Sequence, residues 1–464
     1  LPMPESEKPA WKEIQEESDE QDNQILQARV RTTEVEEPSY ANCIEPREPG
    51  IFHFPKPNKY TLANGLTVLY HNNPATPKID IVFQFKARPY FDAFDKPGVY
   101  NFMCLMLTEG TKNYSSDLLA TLIESRGMTF SVYPGGLTMR VLRDDLYFAL
   151  EVMQEILTNP TFPADNLEKV RDQIITDIKN YWDDPWTFSN QLVRENVYKG
   201  HPYSKNVLGT LQSVATIERS DLVQFFQKYI SPAGATMAIV GDLTGYDLES
   251  LLTDTLGHWS GPVVEDVPFT PVAQVTPTQI DYPINRDQVV LCFVGCSIDR
   301  KNPDYDKLLL FDQIFGGGVL GAMSSRLFQL REQYGLFYTI RGSLLSGVDE
   351  QPGMVSVKTI VSLDRLAEAE KVIKQAINGT VGTIEADELQ EAKHAVINSL
   401  VDLFASNSSM AQSFLFLNKY GFTPDFFDKR AADLSKITID DINKAAAKVL
   451  STNSMLTFRI GRVG

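Results

Sequence analysis

The chain has 464 residues and a formal net charge of −17, and 43% of its residues are hydrophobic, as in soluble globular proteins. This length exceeds one ordinary hydrophobic core, so we expect two or more domains. The negative charge argues against nucleic acid or an anionic membrane as the main partner. The sequence also has no run of about 18 apolar residues, so we expect no membrane span.

Residues 1–54 form an acidic N-terminal tail that we predict to be extended or disordered. The first 50 residues hold 13 acidic and 5 basic side chains and show no sustained apolar period. A chain that begins at Leu1 without a charged and apolar leader is expected to be a processed protein or a piece of a longer polypeptide. The sequence therefore does not determine the cellular compartment, although we expect an exported, periplasmic location.

Short strands and amphipathic helices follow from about residue 59. The segment YTLANGLTVLYHN predicts a hairpin, because it alternates in hydrophobicity around Asn64-Gly65. Next come a strand in KIDIVFQFKA, helices near 98–109 and 115–126, a strand and turn in LTMRVLRDDL, and a helix in YFALEVMQEIL. A long helix is predicted from about Ala164 to Trp182, followed by a helix in LVQFFQKYI and a strand in ATMAIVGD.

Residues 261–278 are predicted to link two domains, an N-terminal one at 55–260 and a C-terminal one at 279–464. Four prolines interrupt this stretch, which has few periodic apolar residues.

An internal repeat supports two duplicated domains. Residues 217–231 and 437–451 align without gaps at an offset of 220, and the same offset brings Gly241 onto Gly461. Upstream, ADNLEKVR matches ADELQEAK at an offset of 222. We therefore predict two copies of about 200 residues. Each is expected to be α+β, with a mostly antiparallel sheet and helices packed on one face.

The sequence lacks the common signatures of catalytic and metal sites. No two of its five histidines lie three to five residues apart, so no helix offers paired imidazoles to zinc. No G-x-S-x-G nucleophile elbow and no Walker A motif are present.

A glycine-rich segment needs a separate interpretation. It contains Gly316, Gly317, Gly318 and Gly321, which satisfy G-x-G-x-x-G. The preceding DYDKLLLFDQIF has helical spacing, whereas a dinucleotide site follows a strand. We instead predict a loop whose bare backbone can approach a partner or an extended peptide closely.

The segment KPGVYNFMCLMLTEGTKNYSS (96–116) resembles the zinc helix of the pitrilysin and mitochondrial processing peptidase family, which carries H-x-x-E-H. Asn101 and Leu105 stand at the two histidine positions, and Cys104 stands at the position of the glutamate base. The later segment VRDQIITDIKNYWDDP resembles the family's second helix, with Asp177 at the position of the third ligand. The resemblance implies that this chain alone binds no zinc.

Two further segments resemble the same family. HPYSKNVLGT (201–210) is similar to a stretch of its first domain, and SRLFQLREQYGLFYTIRG (325–342) is similar to its second-domain signature. That signature carries an arginine and a tyrosine that bind substrate backbone and steady the tetrahedral intermediate. Arg331 and Tyr338 match them. The resemblance implies two domains of the LuxS and processing-peptidase type.

We therefore predict a zinc-free partner subunit, or the C-terminal half, of a metalloendopeptidase. It would be inactive alone and would position unfolded or extended peptides for an H-x-x-E-H subunit, which would hold the zinc. One alternative is a purely structural subunit, like the family's core proteins of respiratory complexes. Another is a stand-alone module that binds peptides without cutting them.

Overall fold

The computed structural model describes residues 49–91, 96–318 and 321–463. The predicted tail, 1–54, lies outside these ranges except for its last six residues. Among those six, Phe54 stacks on Phe404 with 4.7 Å between ring centroids, and its backbone N–H donates to Asp428 Oδ1 at 2.9 Å. The end of the tail therefore contacts the C-terminal half. No helix within the described ranges is both long and apolar enough to cross a bilayer.

The N-terminal half contains a six-stranded sheet in the order β1-β2-β6-β3-β5-β4. Its strands are β1 (Asn58–Thr61), β2 (Thr67–Asn72), β3 (Lys78–Gln84), β4 (Thr129–Tyr133), β5 (Gly136–Leu142) and β6 (Thr236–Gly241). Strands β1 and β2 form the predicted hairpin. Gly65 lies in its turn with a φ of 88°, a conformation that glycine adopts readily.

The helices of this half mostly follow the predicted positions. They are α1 (Val99–Met106), α2 (Ser116–Glu124), α3 (Leu146–Thr158), α4 (Ala164–Asp183), α5 (Pro185–Val197), α6 (Leu211–Thr216), α7 (Arg219–Tyr229) and α8 (Leu248–Asp254). Helix α5 was not predicted. Its local signal is a helix start, because the Asp184 side chain accepts from Trp186 N and Thr187 N, with Pro185 in the first turn.

The C-terminal half contains a five-stranded sheet in the order β7-β11-β8-β10-β9. Its strands are β7 (Gln279–Pro283), β8 (Gln288–Cys296), β9 (Ile340–Ser346), β10 (Met354–Ser362) and β11 (Leu456–Gly461). Its helices are α9 (Tyr305–Phe315), α10 (Arg326–Tyr334), α11 (Leu366–Gly379), α12 (Ala386–Ser399), α13 (Asn407–Tyr420), α14 (Phe426–Ser435) and α15 (Ile439–Ala446).

The two halves repeat one topology, as the internal repeat predicts. Helix α7 leads to β6, which pairs parallel with β2 and antiparallel with β3. Helix α15 leads to β11, which pairs parallel with β7 and antiparallel with β8. The predicted α+β class with two mostly antiparallel sheets is therefore confirmed. Residues 261–278 contain neither helix nor strand, and the exact domain bounds stay a prediction.

One helix of each half packs on the sheet of the other half, an arrangement that we call the helix exchange. Phe188 and Val193 of α5 belong to a core cluster with β8 and β11 of the second sheet. Met410 and Phe414 of α13 belong to a cluster with β2, β3 and β6 of the first sheet. The repeat offset of 222 carries Pro185 of α5 onto the start of α13. The sequence predicted helices on only one face of each sheet. In the structure, the helix from the other half covers the opposite face.

Candidate functional site

Helix α1 begins where two glycine-containing motifs meet. Gly98 has a φ of 97°, and a Cβ there would lie 2.8 Å from the Leu208 carbonyl oxygen. Gly209 has a φ of 86°, and a Cβ there would lie 2.5 Å from the Pro97 carbonyl oxygen. Ser213 Oγ donates to this same oxygen at 2.7 Å. Both positions therefore need glycine, and the contact fixes the start of α1.

The three degenerate positions of α1 lie in two environments. Asn101 and Leu105 are half-buried, and Leu105 packs against the N-terminal core. Cys104 is 2% exposed and is part of that core. A carboxamide is a poor zinc ligand and a leucine side chain is none. The core position of Cys104 also removes it from the half-buried surface where Asn101 and Leu105 lie.

Helix α4 lies against α1, but its candidate ligand is on the solvent side. The Arg171 guanidinium lies 5.4 Å from the centre of the Phe102 ring of α1. Ile174 and Ile178 of α4 are buried, whereas Asp177 between them is exposed. Asp177 and Cys104 therefore do not form a common metal site.

These side chains do not fit zinc. Two of the four positions hold an amide and an alkyl group, one holds a core thiol and one an exposed carboxylate. In the part of the chain that the structure describes, no group of three or more histidine, cysteine, aspartate or glutamate side chains could hold a metal ion.

Arg331 and Tyr338 lie in a different environment, at the C-terminal end of α10 and in the segment after it. The side chain of Arg331 is 39% exposed, and its nearest carboxylate among the described residues is Glu332 at 3.9 Å. Tyr338 is 88% exposed. The neighbouring Leu336 and Phe337 are buried and anchor this segment. Two strong hydrogen-bond donors are thus presented to solvent on an anchored connection.

The glycine-rich segment is shaped by contacts inside the protein. It follows helix α9 and not a strand, as predicted. A Cβ at Gly316 would overlap the Gly342 carbonyl oxygen of β9, and one at Gly318 would overlap Gln313 of α9. Gly317 has a φ of 91° and Gly321 a φ of 61°. Of the four glycines, only Gly321 has open space where a Cβ would stand. Close packing within the chain thus accounts for Gly316, Gly317 and Gly318. The close approach of a partner or an extended peptide to this loop stays a prediction.

A buried carboxylate beneath this segment was missed from the sequence. Asp312 of α9 is 5% exposed and accepts from Leu344 N at 2.7 Å and from Ser343 Oγ at 3.0 Å. Burial raises the pKa of Asp312 to about 6, and the two hydrogen bonds oppose this shift only in part. The sequence did contain a sign of this buried carboxylate, because Asp312 stands at a position of DYDKLLLFDQIF where the helical pattern places buried apolar residues. Asp312 ties α9 to β9 just before the glycines.

Comparison with known proteins places this geometry in a family. The family model described as insulinase (peptidase family M16) matches residues 67–211, and the model described as peptidase M16 inactive domain matches residues 216–396. An uncharacterized zinc protease of Rickettsia bellii is 26% identical over 350 residues, which cover 74% of this chain and 82% of that protein. A Helicobacter pylori protein named non-peptidase homolog YmxG is 22% identical and covers 85% of this chain and 91% of its own length.

The fold matches as well. The crystal structure of a peptidase M16 inactive domain from Pseudomonas fluorescens superposes with a TM-score of 0.80 at 22% identity, covering 88% of this chain and 98% of that chain. The resemblance found in the sequence is thereby confirmed. The two models together match most of the chain, and the chain belongs to peptidase family M16.

Proposed function

We propose that this chain is the zinc-free partner, subunit or half, of an M16 metalloendopeptidase. It helps to bind and position extended peptides for an H-x-x-E-H active site that holds the zinc. The observation that carries this proposal is a contrast between the two halves. The zinc positions of α1 hold Asn101, Cys104 and Leu105, which are half-buried or buried. In the other half, Tyr338 is 88% exposed and the side chain of Arg331 is 39% exposed, and both are hydrogen-bond donors.

The exposed pair suits a role in trans. A guanidinium and a phenol can donate to the carbonyl oxygens of a peptide and to the negative charge that develops in the transition state. The contact of Arg331 with Glu332 is long and exposed, so it competes weakly with a substrate. The names of the Helicobacter and Pseudomonas proteins, non-peptidase homolog and inactive domain, support a chain without its own catalysis.

The test is reconstitution. The purified chain is assayed on unfolded peptides alone and after co-expression with each H-x-x-E-H member of the family from the same organism. We expect no cleavage by the chain alone and cleavage by one pair. A partner whose catalytic glutamate is replaced by glutamine is the control. Chelator-sensitive cleavage by the chain alone, with one zinc bound per chain, contradicts the proposal.

The same assay tests the two alternatives. A purely structural subunit forms the complex, but the rate of cleavage per partner molecule is the same with and without it. A stand-alone peptide-binding module binds an unfolded peptide without any partner, and adding a partner produces no cleavage. Binding of peptide by the isolated chain is measured by fluorescence anisotropy of a labelled peptide.

A further inference from the structure

A cavity of about 240 Å³ lies between the two halves. Arg88 and Arg194 line it from the N-terminal half, where Arg194 belongs to the exchanged helix α5. Asp349 and Met354 line it from the connection between β9 and β10 and the start of β10. A molecule bound in this cavity would therefore contact both halves at once.

The charge of the walls favours an anion. Three cationic side chains line the cavity, namely Arg88, Arg194 and Lys205. Among the described lining residues, Asp349 is the one carboxylate. It is already engaged by two groups of α13, because the Lys419 ammonium and the Tyr420 hydroxyl both donate to it. Cationic side chains therefore outnumber carboxylates among the described lining residues, and Arg88 also faces Glu350 at 3.7 Å.

The two arginines retain donor capacity. The Arg194 guanidinium donates to the Tyr203 carbonyl oxygen at a long 3.4 Å and forms no ion pair within the described residues. Arg88 donates to the Phe85 carbonyl oxygen at 3.1 Å and lies 3.7 Å from Glu350 Oε1. The planar fork of a guanidinium matches the two oxygens of a carboxylate.

The rest of the lining is apolar and aromatic. The Tyr198 hydroxyl donates to the Pro352 carbonyl oxygen at 2.8 Å, and the Tyr90 hydroxyl donates to Glu350 Oε2 at 3.1 Å. These tyrosines therefore offer their rings, together with Val207 and Met354. The cavity, about 240 Å³ in volume, has room for a small aromatic acid.

We infer that the interdomain cavity binds a compact carboxylate with an aromatic or apolar group. The carboxylate lies at Arg194 and Arg88, and the apolar group lies against the tyrosine rings. A free aromatic acid and the C-terminal residue of a peptide share this chemistry. This inference uses the cavity alone and does not depend on the proposed function.

Calorimetric titration of the full chain with phenylacetate tests the inference. We expect binding with a Kd below about 1 mM, and an affinity at least tenfold lower for Arg194→Met. Phenylacetamide, which has the same shape without the charge, should bind the wild-type protein at least tenfold more weakly. Arg365→Met removes an exposed arginine that is paired with Glu368 and should leave the affinity unchanged.

The peptide Gly-Gly-Phe, with a free or an amidated C-terminus, separates the two sources. If the peptide with a free C-terminus binds, the inference is supported and the ligand is a peptide C-terminus. If phenylacetate binds and the peptide does not, the inference is supported and the ligand is a free acid. The inference is overturned if neither acid binds, if phenylacetamide binds as well as phenylacetate, or if Arg194→Met has wild-type affinity. Should Arg194→Met not fold, Arg88→Met and the amide comparison on the wild-type protein decide.

Discussion

The ammonium group of Lys358 lies 4.0 Å from the centre of the Trp186 ring. It also donates to the Trp186 carbonyl oxygen and, at 2.8 Å, to Asn190 Oδ1. Lys358 belongs to β10 and the other two residues to α5, so this contact joins the exchanged helix to the second sheet. Burial lowers the pKa of Lys358 to about 8, because the charged form loses hydration.

This pKa predicts a rise in stability at high pH. Below about pH 8 the lysine is charged in both states, and between about 8 and 10.5 the unfolded chain binds the proton more tightly than the folded protein. The free energy of unfolding should therefore rise with pH across this window, relative to that of Lys358→Met. Urea unfolding of both proteins at several pH values measures the difference. Lys371→Met, at an exposed position, is the control, and parallel curves for Lys358→Met and wild type would refute the prediction.

Asp312 predicts the opposite trend at acidic pH. Its pKa is raised in the fold, so stability should fall as pH rises from about 4 to about 6, by on the order of 2 kcal/mol. Asp312→Asn keeps an acceptor for Leu344 N and removes the charge. It should lose this pH dependence and should be at least as stable as wild type at neutral pH. A variant that follows the wild-type profile would show that Asp312 is not the titrating group.

The contact between Gly98 and Gly209 can be tested against a matched glycine. Gly200 has a φ of 77° and open space where a Cβ would stand, whereas a Cβ at Gly209 meets the Pro97 carbonyl oxygen. Gly200→Ala should cost about 1 kcal/mol of unfolding free energy through backbone conformation alone. Gly209→Ala should cost about 1–3 kcal/mol more through overlap. Equal losses in chemical denaturation would mean that the start of α1 tolerates the extra atom.

The proposed role of Arg331 and Tyr338 predicts kinetic effects without a loss of stability. In the assembled peptidase, Tyr338→Phe should lower kcat by about 10²–10³, the typical effect of losing one donor to a developing oxyanion. Arg331→Ala should also raise KM, because it would bind ground-state carbonyls as well. The thermal unfolding of both variants should match wild type, since Tyr338 is 88% exposed. If both variants have wild-type kcat and KM, Arg331 and Tyr338 do not take part in catalysis and the chain has only a structural role in the complex.

Local sequence patterns predicted most helices and strands, but they did not predict contacts between residues far apart in the chain. The hairpin at Asn64-Gly65 and the helix from Ala164 follow from turn chemistry and period, and both are confirmed. The sequence did not predict helix α5, because its apolar residues pack on β8 and β11, which lie more than 90 positions later in the chain. The four glycines predicted the close approach of a partner or an extended peptide, whereas the contact of Gly316 with β9 depends on the fold and has no signal in the local sequence. The cavity at Arg194 needs side chains from both halves, so no single segment encodes it.

The helix exchange makes this chain resemble a domain-swapped dimer whose two protomers are joined by residues 261–278. Each half, once separated, would leave one face of its sheet bare and one apolar helix without a partner. A protease cut within the linker should therefore leave two fragments that stay associated and melt in one transition. Neither half produced alone should fold independently, so the pair of halves should be the smallest unit of this sequence that folds.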